Sequence, residues 1–153
     1  RDSAIAASCD PGTVSSRGHK FDESLRFPII IDGYVESRDG SDEKYEIESI
    51  PTQYSTRKFV AMMEGLGVSA DLNRSKNGRS IRAGKGTMRG RKYRTPKGIL
   101  LVVAQKGGLE KAARNLPGVD VVTAKDLCAE DLAPGGDMGR LTVWTKSAIE
   151  SLE

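Results

Sequence analysis

The chain has 153 residues, 24 basic against 21 acidic side chains, a formal charge of +3 and 37% hydrophobic residues. This is enough length and apolar content for one domain with a real core, which excludes a wholly disordered chain. The longest uninterrupted apolar run, six residues at 99–104, is far short of the roughly 20 that a membrane helix needs.

In chain order, residues 1–8 (RDSAIAAS) carry Ala4, Ile5, Ala7 and Ser8 on a helical face, and Asp10, Pro11 and Gly12 stop it. A two-turn helix without an initiator Met or an N-terminal signal reads as the tail of a longer one, so the chain is expected to be a fragment. The run FPIIID at 27–32 is short, β-branched and continuous, which predicts a buried, parallel strand covered on both faces. After a polar stretch at 36–48, Phe59, Val60, Met62, Met63 and Leu66 recur at helical spacing, with Gly65 and Gly67 as stops. Val68 to Leu72 alternates apolar and polar and predicts a second strand. Residues 73–98 show no sustained period and read as a long functional loop. ILLVV at 99–103 is the clearest buried strand. A Gly107–Gly108 turn follows, then a helix with Leu109, Ala112, Ala113 and Leu116, ended by Pro117 and Gly118. Strands follow at Val119 to Val122 and Leu141 to Trp144, and Thr145 is placed to cap a last helix. The alternation predicts an α/β fold, a three-layer α/β/α arrangement on a mostly parallel sheet, Rossmann-like without the dinucleotide fingerprint. Residues 1–153 show no repeat and no second-domain boundary.

The charge is not evenly spread. Residues 74–97, RSKNGRSIRAGKGTMRGRKYRTPK, hold ten basic and no acidic side chains, a local +10, and leave the rest at −7. Arg and Lys neutralise phosphates, glycine lets a backbone approach closely, and Tyr93, between Lys92 and Arg94, offers a ring for an unpaired base. Ten like charges within one loop repel one another, which points to a polyanionic partner, RNA rather than DNA because no helix-turn-helix or basic helix is visible. The bland reading is a solvated loop without a ligand. The loop does not fit a nucleotide site: the first Gly of a Walker loop is replaced by Arg79, and Gly86 stands where Ser or Thr should follow Lys85. A nucleotide-dependent enzyme with its phosphate site at Gly107 and Gly108 is the competing reading, although two adjacent glycines are more often a tight turn.

Catalysis and metal binding find little support. His19 has no second histidine and reads as a local hydrogen-bonding group; Cys9 and Cys128 read as reduced thiols and make no disulfide framework. The acids Asp39, Asp42, Glu43, Glu46 and Glu48 read as a solvated face, the Pro134 to Gly139 cluster as a structural turn, and Met62 and Met63 as core. No cofactor, metal or small-molecule substrate is expected.

IRAGKGTMRGRKYRTPKGILLVVA at 81–104 resembles the signature of the universal large-subunit ribosomal protein four family in its archaeal and eukaryotic form. ARNLPGVDVVTA at 113–124, LAPGGDMGRLTVWTKSAIESL at 132–152 and VSSRGHKF at 14–21 are similar to other segments of that family, and the resemblance is least clear at 33–49. It implies a non-enzymatic structural protein on large-subunit rRNA, cytoplasmic on the ribosome, with neighbouring large-subunit proteins as further partners. The contact role it implies falls on Arg82, Lys85, Arg89, Arg91, Lys92, Tyr93, Arg94 and Lys97, with Gly84, Gly86 and Gly90 allowing close approach, and Arg79 in the same basic run is a further RNA-binding candidate. The family's N-terminal βα segment and Gly- and Arg-rich loop have no counterpart before Arg1, so no tunnel-lining role is carried over. An extra-ribosomal RNA-binding regulator using the same loop is the third reading.

Overall fold

A computed structural model describes residues 1–32, 34–38, 41–45 and 54–152, the two short middle segments through their backbone pairing. Asp10, Pro11 and Gly12 do end the first helix, α1 (Asp2–Ser8), and then start another. The Asp10 carboxylate accepts from the Thr13 amide at 2.9 Å, and Pro11 sits at the first turn of α2 (Pro11–Ser16), where a missing N–H costs nothing.

The sheet is parallel throughout, with β1 (Ile29–Ile31), β8 (Thr142–Thr145), β6 (Leu100–Val103) and β7 (Asp120–Thr123) side by side in that order. Leu101 faces Val121 on one side and Val143 on the other, so β6 is the inner strand that its continuous apolar sequence predicts. β1 differs from expectation. It is parallel, but it lies at the sheet edge, where Ile29 and Ile31 are buried and Ile30 is 49% exposed. The layers match the three-layer expectation, while the strand order places β8 between β1 and β6 and so carries no Rossmann order.

One face is packed by α3 (Thr56–Gly65), α4 (Ser69–Asn77) and α5 (Gly108–Arg114), whose Phe59, Met63, Leu72, Leu109 and Ala112 meet Ile31, Leu101, Val103 and Val143. On the other face, α1, α6 (Ala129–Leu132) and α7 (Lys146–Glu150) bring Ile5, Leu132 and Ala148 onto Leu100, Val102 and Trp144. Thr145 caps α7 as predicted, accepting from the Ala148 amide at 3.3 Å. Met63 is core and Met62 packs against it.

The predicted strand at Val68 to Leu72 is instead the start of α4. Its buried face runs Val68, Asp71, Leu72, Ser75, which is helical spacing, but two of those positions are polar and hide the period. Residues 73–98 are likewise more ordered than a featureless loop: α4 continues to Asn77, and β4 (Ser80–Ile81) pairs antiparallel with β5 (Tyr93–Arg94). A second antiparallel hairpin, β2 (Tyr34–Arg38) with β3 (Ser41–Tyr45), occupies part of the polar stretch after β1. The side chains of Asp39, Asp42, Glu43, Glu46 and Glu48 lie outside the described residues. No described helix is long and apolar enough to cross a membrane.

Candidate nucleic-acid interface

The basic segment is a two-stranded arm. Ile81 stands opposite Tyr93 and Ser80 opposite Arg94, and the Arg82 amide donates to the Lys92 carbonyl at 2.8 Å. The tip folds on itself. Thr87 donates from its amide to Gly84 O at 3.2 Å and from its hydroxyl to Arg82 O at 2.7 Å, and the Arg91 amide reaches Gly86 O at 3.0 Å. Gly84 and Gly90 have φ of +84° and +74°, so they are required by the turns themselves. Gly86 is different: a Cβ there would make only an ordinary 3.7 Å contact with Arg82 Cδ.

Arg79, Arg82, Lys85, Arg89, Arg91, Lys92 and Arg94 are all exposed on this arm, and among the described residues none of them has a carboxylate partner. Arg82, Arg91 and Arg94 line an open concavity of about 480 Å³ together with Ser80, Ala83 and Gly86. The Arg79 guanidinium lies over the Tyr93 ring, 4.2 Å from its centroid, and the Lys92 ammonium is 5.7 Å from that centroid. Lys97 is set apart from this group, since its ammonium sits 2.7 Å from the Asp120 carboxylate.

Both roots of the arm are fastened to the body by ionic networks. At the first, the Arg74 Nε donates to buried Asp71 at 2.7 Å, and its Nη2 reaches across to the Lys97 carbonyl at 2.8 Å. His19 Nδ1 is 3.1 Å from the same carboxylate, which also accepts from the Lys20 amide at 3.2 Å. His19 is thus a hydrogen-bonding group, as expected, but it is buried and its partner Asp71 lies 52 residues along the chain rather than nearby. At the second root, Arg140 is 1% exposed; its Nη2 donates to Asp120 at 2.6 Å, Nε to Gly98 O at 2.9 Å and Nη1 to Asp131 O at 2.8 Å. The Gly98 amide donates to Gly118 O at 2.8 Å, and a Cβ on Gly98 would lie 2.4 Å from Ser75 Oγ, so the returning strand passes where only glycine fits.

Residues 2–153 match the Ribosomal protein L4/L1 family. The chain belongs to that family. It is 50% identical over 151 residues to the large ribosomal subunit protein uL4 of Methanocaldococcus jannaschii, covering 99% of this chain and 54% of that protein. The uL4 of Halobacterium salinarum is 46% identical over 149 residues, covering 97% of this chain and 54% of its own, and that of Thermoplasma acidophilum 42% over 151 residues, covering 99% and 53%. The chain therefore spans about half the length of these relatives. None of these names supports the nucleotide-dependent enzyme, and in this L4/L1-family chain Gly107 and Gly108 form the turn into α5.

The residues that sequence reasoning missed are those of the roots. Arg140 follows a glycine cluster and looks like a turn residue, and Asp71 looks like the polar half of an alternating strand. Arg17, also missed, donates to the carbonyls of Pro134 and Asp137 and braces the Pro134 to Gly139 turn, where a Cβ on Gly139 would lie 2.7 Å from Thr13 O. That turn is structural, as expected. Burial alone would raise the Asp71 carboxyl, but the hydrogen bonds from His19 and Arg74 outweigh it and hold it below the ordinary carboxylate value. At Asp120 burial is likewise outweighed, by the hydrogen bonds from Lys97 and Arg140. Groups lowered in the folded state stabilise it fully above the unfolded value of about 3.9, and that contribution disappears as pH falls through the folded values. The unfolding free energy of this L4/L1-family chain is therefore expected to hold near neutrality and decline from about pH 4 downward. Asp71→Asn, less stable at pH 7, should show a shallower decline in urea titrations at successive pH; an unchanged slope would refute the assignment.

Proposed function

We propose that the chain, taken as one α/β domain over residues 1–153 with its basic arm at 74–97, is a structural constituent of the large ribosomal subunit. In this reading it binds large-subunit rRNA and supports subunit assembly. Neighbouring ribosomal proteins contact its less basic body, it acts on the cytoplasmic ribosome, and it has no catalytic step. One observation carries the reading: seven exposed cations, without carboxylate partners among the described residues, project on a hairpin whose two roots are locked into the body. A charge array of that kind neutralises phosphates and releases their counterions, so affinity depends steeply on salt.

Arg82, Lys85, Arg89, Arg91, Lys92 and Arg94 are the phosphate ligands in this proposal. Arg79 and Tyr93 act as a pair, and Gly84, Gly86 and Gly90 shape the tip. Lys97 serves mainly the root, because its charge already faces Asp120. If about five to seven cations reach phosphates, the logarithm of affinity for large-subunit rRNA falls against log salt with a slope of roughly −4 to −6. A filter-binding titration measures it, and a slope near −1 would remove the proposal.

A further inference from the structure

The hairpin has two chemically different sides. In an antiparallel pair, residues directly opposite share a face and their neighbours along the strand take the other. Ile81 and Tyr93 therefore share one side, and Ser80 and Arg94 the other. Beside the pair, Ser80, Arg82, Arg91 and Arg94 line a concavity whose rim Ile81 shares, and its guanidinium groups suit a phosphate backbone. On the Ile81 side, Ile81 is 64% exposed and Tyr93 45% exposed, and neither belongs to the buried core. Apolar exposure of this kind, in the midst of positive charge, has nothing among the described residues to cover it.

Arg79 adds the deciding contact. It shares the parity of Ile81, and its guanidinium lies over the Tyr93 ring at 4.2 Å, so ring and guanidinium already form a stack before any ligand arrives. A second cation, Lys92, stands 5.7 Å from the ring centroid. We propose that Ile81, Tyr93 and Arg79 form a preassembled ledge for one unpaired RNA base, while the adjoining arginine-lined concavity, which Ile81 borders, holds the backbone next to it. An unpaired base offers a flat apolar face to stack and carries the phosphates that the surrounding cations attract. A base buried inside a continuous duplex cannot reach the ledge. The arm therefore selects RNA with a bulged or looped-out nucleotide over uniform duplex, and Arg79 is a positioning residue for the ring in addition to contributing its charge.

This inference rests on the RNA-binding proposal above, and its test separates the two. Two RNAs of about 20 base pairs serve as probes, one fully paired and one identical except for a single bulged 2-aminopurine, with the whole chain as wild type, Tyr93→Phe and Tyr93→Leu. Wild type is expected to bind the bulged RNA about tenfold tighter than the duplex, the factor that about 1.4 kcal/mol of stacking represents, and to change the 2-aminopurine fluorescence on binding. Tyr93→Phe keeps both effects. Tyr93→Leu loses both, and its affinity falls about tenfold further for the bulged RNA than for the duplex. Equal wild-type affinity for the two RNAs, or a Tyr93→Leu loss that is the same for both, overturns the ledge and leaves the phosphate interface standing. Absence of salt-dependent binding to either RNA overturns the RNA-binding proposal and the ledge together.

Discussion

Replacing Arg140 by Met is expected to lower the unfolding free energy by about 3 kcal/mol, the lower end of the range for breaking a buried ion pair on one side. Methionine fills much of the same space, yet it leaves the Gly98 and Asp131 carbonyls without the donors that now lie at 2.9 and 2.8 Å. Asp120 loses its 2.6 Å partner but keeps Lys97, which is why the upper end of the range is not reached. For a chain of this size the loss corresponds to a melting temperature lower by roughly 6–12 °C. Circular dichroism during heating measures it. Lys97→Met is the control: its side chain is 53% exposed, so its surface pair is worth at most about 1 kcal/mol. Equal effects of the two substitutions would show that Arg140 does not organise this root.

Substituting Arg89, Arg91 and Lys92 together by Ala should have the opposite profile. Each phosphate released contributes about 0.9 to the slope of log affinity against log salt, so the slope becomes shallower by roughly 2–3. At about 0.15 M salt the same relation predicts a loss of roughly 10²-fold in affinity for large-subunit rRNA. Melting should stay within about 1 °C of wild type, because all three side chains are exposed and none has a carboxylate partner among the described residues. A collapse of the fold in this triple variant would assign the tip a structural role. Charge type alone does not separate these residues from Arg74, which belongs to the same basic run but is turned onto Asp71 and the Lys97 carbonyl.

That contrast explains what was legible in the sequence. ILLVV was readable as a buried strand, because a continuous apolar run of that length packs on both faces of a sheet, and Thr145 as a helix cap because its hydroxyl accepts from a first-turn amide. The family and the location of the basic arm were equally readable, since both depend on residues close together along the chain. The helix after Val68 was not, because Asp71 and Ser75 occupy its buried face and a pattern of apolar residues counts them as exposed. Nor was the split between binding and anchoring cations. It depends on Arg140 meeting Gly98, 42 residues away, and on Arg74 meeting the Lys97 carbonyl, 23 residues away, and no local rule predicts such meetings. The hairpin escaped notice because its strands are two residues long, too short to show an apolar–polar alternation.

The order of strands has a temporal consequence. β1 pairs with β8 alone among the described strands, with Ile29 beside Val143, and β8 also supplies the inner neighbour of β6. During synthesis the β6–β7 pair, separated by about twenty residues, is available before β8 is made, whereas the β1–β8 pairing must wait until β8 has followed both of them. Contacts so distant along the chain make for slow closure. The basic arm, which precedes β6, therefore emerges while the sheet is still open, and the polyanion it meets can be present before the final strand completes the layer.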